Sequence, residues 1–194
     1  MSRLEKHIAE YCPDGVPYRP LGEILKFEQP GKYLVSSTAY DDSFLTPVLT
    51  AGQTFILGYT NEEVGIYPAS SDQPVIIFDD FTTAFKWVDF PFKAKSSAMK
   101  MLRPKEDAGA LFRYLYFAML GIDFEPQEHA RHWISRYANF TIPVPPLPVQ
   151  EEIVQNLNLF TSLEAELKDE LAARRRQFDY YRRELLAFEE LPSD

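Results

Sequence analysis

The chain has 194 residues, a formal net charge of −9 at pH 7, and 45% apolar residues. This length suits one domain with an extension, and the apolar fraction supports a buried core. The single cysteine, Cys12, excludes an internal disulfide and favours a reducing compartment, so we expect a cytoplasmic protein. No apolar run reaches the ~18 residues that a membrane span requires.

The first 147 residues are predicted to form an α+β globule with a curled mixed or antiparallel sheet and a few helices. Short apolar and β-branched runs between Gly, Asn and Asp residues predict the strands. These runs cover residues 47–50, 54–59, 74–78, 85–90, 92–95 and 140–142. The runs at 85–90 and 92–95 alternate, which is typical of strands with one polar face. Helices are predicted at 2–11 and 107–121, and a short strand leading into one helical turn at 18–25.

One long helix is predicted at residues 148–191, directly after a proline-rich stretch. Residues 149–190 contain neither glycine nor proline, and their apolar residues recur about every 3.5 positions, as in a coiled coil. At ~1.5 Å per residue such a helix is roughly 60 Å long and must bury its stripe against another long helix. The chain has no second stretch of this kind, so the partner is another copy of this chain or another protein, and we predict a homodimer. The predicted interface is Ile153, Leu157, Phe160, Leu167, Leu171, Phe178, Tyr181, Leu185 and Phe188.

Charge is distributed unevenly along the acidic chain. Residues 81–103 hold five basic residues against one acid, and residues 129–148 hold Arg131 and Arg136 with no acid. A local basic face of this kind suits a phosphate backbone, although a solvated surface explains the charge alone equally well. Arg174 interrupts the apolar stripe, where it either sets the register of the helix pair or faces DNA or a partner.

Motifs of nucleotide-dependent enzymes are missing from the sequence, which has no G-x-G-x-x-G and no G-x-x-x-x-G-K-[ST]. Asp79 and Asp80 point to opposite faces if they lie in a strand, so structural or turn roles are expected for them. His129 and His132 have ligand-like spacing, but no third histidine or cysteine lies nearby, so zinc is not expected. We predict no catalytic residue and no metal site.

Several motifs resemble the specificity subunits of type I restriction–modification systems. The stretch IPVPPLPVQEEIV at 142–154, followed by a long helix ending in YYRRELLAF at 180–188, resembles their conserved segment. YRPLGEI at 18–24 is similar to the entry of their target recognition domain, and the runs at 50–59 and 77–83 are similar to one subtype of that domain. Family members usually carry two such domains and two helices, so this chain corresponds to a half-length form.

The resemblance implies a non-catalytic subunit that recognises double-stranded DNA. It also implies partners: a methyltransferase subunit, which binds S-adenosylmethionine, and a restriction subunit. S-adenosylmethionine, ATP and Mg²⁺ are then expected on those partners only. Paired antiparallel helices hold two recognition domains apart in the family, so two copies of this chain are expected to read an interrupted palindrome.

Three groups of residues are predicted to contact DNA because of their charge, polarity and loop placement. The first group is Thr50, Gly52, Gln53 and Tyr59. The second group is Lys86, Lys93, Lys95, Ser96, Ser97 and Lys100. The third group is Arg131, His132 and Arg136.

The alternative function is a coiled-coil dimer whose globular part binds protein instead of DNA. The net negative charge favours this alternative. Salt-dependent retention on duplex DNA discriminates between the two.

Overall fold

The computed structural model describes residues 2–52, 54–126 and 130–188, and the α+β class predicted from sequence is confirmed. The described helices are α1 Arg3–Tyr11, α2 Leu21–Ile24, α3 Phe112–Leu120 and α4 Leu147–Leu185. The described strands are β1 Tyr18–Pro20, β2 Leu25–Glu28, β3 Thr46–Leu49, β4 Ile56–Thr60, β5 Val75–Asp79, β6 Phe85–Val88, β7 Lys93–Ala94, β8 Met99–Pro104 and β9 Thr141–Pro143. The chain divides into two compact units, Met1–Glu152 and Ile153–Asp194.

The described strands form three separate sheets, where the sequence predicts one curled sheet. β1 pairs with β9, and β2, β8, β5 and β6 form an antiparallel sheet in that order. The third sheet has the order β4-β3-β7, with β3 antiparallel to β4 but parallel to β7. Parallel pairing makes β3 and β7 end at the same edge, which decides where the loops after them lie.

β5 is one of the two central strands of the four-stranded sheet, and its apolar residues are completely buried. Val75, Ile76, Ile77 and Phe78 have no exposed surface. A continuous apolar run is expected when both faces of a strand are covered. Phe78 packs edge-on against Trp133 at 5.1 Å between ring centroids. This contact places the segment after residue 130 against the end of β5.

Helix α1 begins at Arg3 because Ser2 forms a capping box with Glu5. The Ser2 hydroxyl accepts the N–H of Glu5 at 3.2 Å, and the Glu5 carboxylate accepts the N–H of Ser2 at 2.6 Å. This reciprocal pair satisfies two backbone donors at the helix start.

Helix α3 begins at Phe112, five residues after its predicted start at 107. Gly109 has φ +63°, a left-handed conformation that an α-helix cannot include. The buried Gln150 side chain fixes this non-helical segment: its Oε1 accepts the N–H of Leu111 at 2.8 Å, and its Nε2 donates to the carbonyls of Pro145 at 2.7 Å and Gly109 at 3.3 Å. Gln150 thus joins the first turn of α4 to the segment before α3.

Replacing Gln150 with leucine should lower the free energy of unfolding by about 3 kcal/mol. Leucine has a similar size but leaves three backbone groups without their partner, and the carbonyl of Pro145 among them is buried. An unsatisfied buried group costs about 1–3 kcal/mol, and the two partly buried groups add less. Urea unfolding monitored by tryptophan fluorescence measures the loss. The control is Gln155→Leu, because Gln155 is exposed on the same helix. Equal stabilities of the two variants would contradict the role assigned to Gln150.

Helix α4 begins at Leu147, one residue before its predicted start, and ends at Leu185. The predicted apolar stripe is largely exposed: Phe160 is 66% accessible, Leu167 68% and Leu171 51%. Other positions of the helix carry ion pairs between residues one turn apart, such as Lys168 with Glu164 at 2.6 Å. Arg174 pairs with Glu170 at 3.2 Å along the same helix.

Candidate nucleic-acid interface

Parallel pairing of β3 with β7 brings two of the predicted groups together. Leu49 lies opposite Ala94, so Thr50 and Lys95 both follow their strands at one edge of the sheet. The N–H of Lys95 donates to the carbonyl of Leu49 at 3.0 Å. The Thr50 turn and the Lys95 loop are therefore direct neighbours, although they lie far apart in sequence.

The turn after β3 is held by the side chain of Thr50. The Thr50 hydroxyl donates to the carbonyl of Thr54 at 2.7 Å and accepts the N–H of Gly52 at 3.2 Å. The backbone N–H of Thr50 donates to the carbonyl of Phe55 at 3.0 Å. These bonds join Thr50 to the described residues on both sides of the turn. Gln53, predicted to contact DNA, lies outside the described residues.

Lys95 is oriented by Tyr40, a residue that no sequence pattern points to. The Lys95 ammonium donates to the Tyr40 hydroxyl at 3.1 Å and lies 5.6 Å from the ring centroid. The ring of Tyr40 occupies space beside Gly58, where a Cβ would come within 2.7 Å of the Tyr40 Cβ. Glycine at this strand position therefore lets Tyr40 approach closely enough to hold Lys95. Ser96 and Ser97 follow as exposed residues.

The turn between β5 and β6 lies beside the Lys95 loop. The N–H of Asp80 donates to the carbonyl of Ala98 at 3.0 Å. The Asp79 carboxylate caps the turn by accepting the N–H groups of Phe81 at 3.0 Å and Thr82 at 2.8 Å. Thr83 has φ +58°, a strained conformation for a β-branched residue. The turn role expected for Asp79 is observed.

Asp80 anchors the segment at residues 130–139. Its carboxylate is buried, forms an ion pair with Lys100 at 2.9 Å, and accepts the N–H of Trp133 at 2.8 Å. The backbone carbonyl of Asp80 accepts the N–H of His132 at 2.8 Å. Within this segment, burial raises the pKa of Tyr137 to about 12, so the phenol stays neutral. Two bonds from Asp80, to the N–H groups of His132 and Trp133, therefore fix the backbone directly after Arg131.

We call the surface formed by these neighbouring loops the loop edge. It consists of Thr50, Gly52, Phe81, Thr82, Lys95, Ser96, Ser97 and Arg131. Six of these residues were predicted from sequence to contact DNA, and the structure brings them together. Phe81 and Thr82 were not in the predicted groups, although the FDDFTT run after an apolar strand is a turn signal that points to them.

Lys93, Lys100 and His132 do not reach the surface, being 3%, 1% and 4% exposed. The ammonium of Lys93 pairs with Glu62 at 2.7 Å and donates to the carbonyl of Val64 at 2.7 Å. The hydrogen bond from the Lys93 ammonium, together with those from the N–H groups of Ser37 and Ser36, lowers the pKa of the Glu62 carboxyl. The prediction that residues 92–95 have a solvent-facing polar side is therefore wrong at Lys93. Glu62, which is distant in sequence, pairs with the Lys93 ammonium inside the protein.

The other predicted residues lie away from these loops or beside them. Tyr59 pairs with Pro47 near the opposite end of β3, and it is half-buried. Lys86 is half-buried near the start of β6, next to the β5–β6 turn. Arg136 is exposed after the anchored segment, and its N–H donates to the carbonyl of His132 at 3.0 Å. No observation tests their predicted DNA contacts, which stay predictions.

The described residues contain no group of three or more His, Cys, Asp or Glu side chains that could hold a metal ion. Among the same residues, no helix is long and apolar enough to cross a membrane.

Comparisons with known proteins agree on one family. Residues 13–173 match the family model described as the type I restriction modification DNA specificity domain. The specificity subunit of the Escherichia coli type I restriction enzyme EcoR124I/EcoR124II is 53% identical over 201 residues, covering 98% of this chain and 48% of that protein. A putative type I specificity subunit of Haemophilus influenzae is 27% identical over 72% of this chain and 37% of its own length.

A solved structure supports the same fold. The S subunit of a type I restriction–modification system from M. genitalium matches with a TM-score of 0.64 and 13% identity, covering 87% of this chain and 45% of that one. This chain spans about half the length of the curated relatives it matches. The expectation of a non-catalytic specificity protein agrees with the family's description. The chain belongs to the family of type I restriction modification DNA specificity domains.

Proposed function

We propose that this chain recognises a DNA sequence for a type I restriction–modification system and reads one half of a bipartite target. The family match over residues 13–173 carries this proposal. Methylation and cleavage belong to partner subunits: a methyltransferase with S-adenosylmethionine, and a restriction subunit with ATP and Mg²⁺. This chain tells those subunits where to act.

The loop edge is the proposed DNA-binding surface. It offers the three kinds of group that such a surface needs: hydroxyls on the exposed Ser96 and Ser97, an exposed Arg131, and Lys95 held in place by Tyr40. Cationic side chains position the protein on phosphates, while hydroxyls and arginine read base edges in the groove. The buried Lys93 and Lys100 form no part of the proposed surface.

The exposed stripe of α4 is the proposed site of pairing with a second copy of this helix. Its apolar side chains from Phe160 to Leu185 are more than half accessible in the chain alone, as is Phe188 beyond the helix end. Apolar residues at a 3.5 spacing are buried when two helices form a coiled coil. An antiparallel pair then carries two identical recognition domains related by a two-fold axis.

Replacing Lys95 with alanine should weaken binding to every duplex, whatever its sequence. If Lys95 contacts one phosphate, the slope of log binding constant against log salt should fall by about 0.9. Fluorescence anisotropy over a salt series measures both quantities. The control is Lys26→Ala, because Lys26 is exposed and lies away from the loop edge. In the β2–β8 register it is opposite Arg103, near the far end of β8.

Equal salt slopes for wild type and Lys95→Ala would contradict the assignment of Lys95 to the DNA-binding surface. The same titration separates the proposed function from the protein-binding alternative. A wild-type chain whose retention on duplex DNA shows no salt dependence would favour that alternative.

A further inference from the structure

We propose that Arg131 reads a guanine in the half-site, and that Phe81 and Asp80 are the residues that position it. This inference rests on the proposed function and assigns a base to one residue of the loop edge. Arg131 directly precedes His132 and Trp133, whose N–H groups both donate to Asp80, so the backbone next to Arg131 is held in place.

The guanidinium of Arg131 is oriented from two sides. Its central carbon lies 5.9 Å from the ring centroid of Phe81, and its Nη1 lies 4.0 Å from the carboxylate of Asp80. The side chain nevertheless remains 53% exposed. One side of the group is thus near the protein, while about half of the side chain is open to solvent.

The two positioning residues are themselves held firmly. The Asp80 carboxylate is 2% exposed and already pairs with Lys100, so it cannot move out to follow the arginine. Phe81 sits in the turn that Asp79 caps, next to the strained Thr83. Strained backbone at a surface turn is often a sign of function, because surrounding bonds must maintain it.

This arrangement suits a base better than a phosphate. A phosphate accepts donors from many directions and needs charge more than orientation. Guanine offers two acceptors, O6 and N7, side by side in the major groove, and a fixed arginine fork matches both at once. An arginine that is oriented before binding also loses less conformational freedom on contact. Lys95, which offers a point charge, fits the phosphate role instead.

The test is selection of bound duplexes from a randomised pool, followed by sequencing, with the full chain alone and with the methyltransferase subunit of its own system. Arg131→Lys and Arg131→Ala are compared with Arg136→Ala, which removes an exposed arginine five positions away. Arg131→Lys keeps the positive charge but loses the fork.

We expect wild type to select G·C at one half-site position. Both Arg131 variants should lose that preference by about 10- to 100-fold while keeping the others. Arg136→Ala should weaken binding evenly at all positions. Phe81→Leu should relax the same position as the Arg131 variants, because the ring no longer orients the guanidinium.

An even loss across all positions for Arg131→Ala, with preferences retained by Arg131→Lys, would make Arg131 a phosphate contact and overturn the inference. That result would leave the proposed function intact. A wild-type chain that selects no sequence in either form would instead contradict the proposed function, and the inference with it. Circular dichroism and urea unfolding of each variant identify any loss that is due to misfolding.

Discussion

We expect the proposed dimer to become a monomer when both Leu167 and Leu171 are replaced with aspartate. The two leucines are 68% and 51% exposed in the single chain, and they lie one turn apart on the apolar stripe of α4. Burying a leucine contributes about 1.5–3 kcal/mol, and a two-fold dimer loses four of them. The lost burial amounts to ~6 kcal/mol or more of association free energy. We therefore expect the dissociation constant to rise by more than about 10,000-fold.

Sedimentation velocity at tens of micromolar measures this change, and circular dichroism reports whether α4 stays helical. The matched control is Ala165→Asp with Ala172→Asp. At 100° per residue these alanines lie roughly 100–160° around the helix from the leucines, outside the apolar stripe, so the control adds the same charge away from the stripe. The control should remain a dimer. A monomeric wild type with a folded helix would refute self-association and leave another protein as the partner of the stripe.

Removing one charge of the Asp80–Lys100 pair will have the largest effect on the stability of the globular unit. Lys100→Met leaves the Asp80 carboxylate buried without its cation, and Asp80→Asn leaves the ammonium alone. Breaking a buried pair on one side costs about 3–5 kcal/mol. Asparagine keeps an oxygen that can accept the N–H of Trp133, so the loss reports the charge and not that hydrogen bond.

The double variant separates charge from packing. Asp80→Asn with Lys100→Met removes both charges, so its loss should be smaller than the sum of the single losses by about 2 kcal/mol or more. Urea unfolding supplies the four values of the cycle. The control cycle uses Glu28→Gln and Lys32→Met, a pair at 3.0 Å whose side chains are exposed. Each control substitution should cost less than about 1 kcal/mol, and equal losses in both cycles would contradict burial as the cause.

The Lys93 and Lys100 predictions show what a local pattern leaves out. Lysines beside alternating apolar residues indicate a solvent-facing side, since a buried ammonium needs a partner. Here the partners are Glu62 and Asp80, which lie in other loops, and only the fold brings them to within 2.7 and 2.9 Å. Which side of a short strand is buried depends on tertiary contacts that the alternation does not contain.

The long helix and the apolar strands were predictable because their periods are local. β5 has the continuous apolar run of a strand buried on both faces, and α4 keeps its stripe over many turns. The start of α3 was not predictable in the same way. Apolar spacing alone extends that helix back to residue 107, but the left-handed Gly109 and the Gln150 bonds end it at Phe112.

The candidate site was predictable in its residue types but not in its assembly. Thr50, Lys95 and Arg131 stand out in sequence as polar or basic residues between apolar runs. Their proximity depends on the parallel pairing of β3 with β7 and on the bonds of Asp80. Parallel pairing joins segments through a long connection, so no turn signal in the sequence announces it.

The measurement that tests the account most directly is methylation-site mapping in cells. The cells should contain this chain and the methyltransferase subunit of its system, and no other specificity subunit. Two identical domains on an antiparallel helix pair should direct methylation to an interrupted palindrome, with inverted half-sites whose centres lie about 10 bp apart. The spacer between them should be constant in length and free in sequence. A continuous site, or two different half-sites, would contradict the symmetric pair of recognition domains.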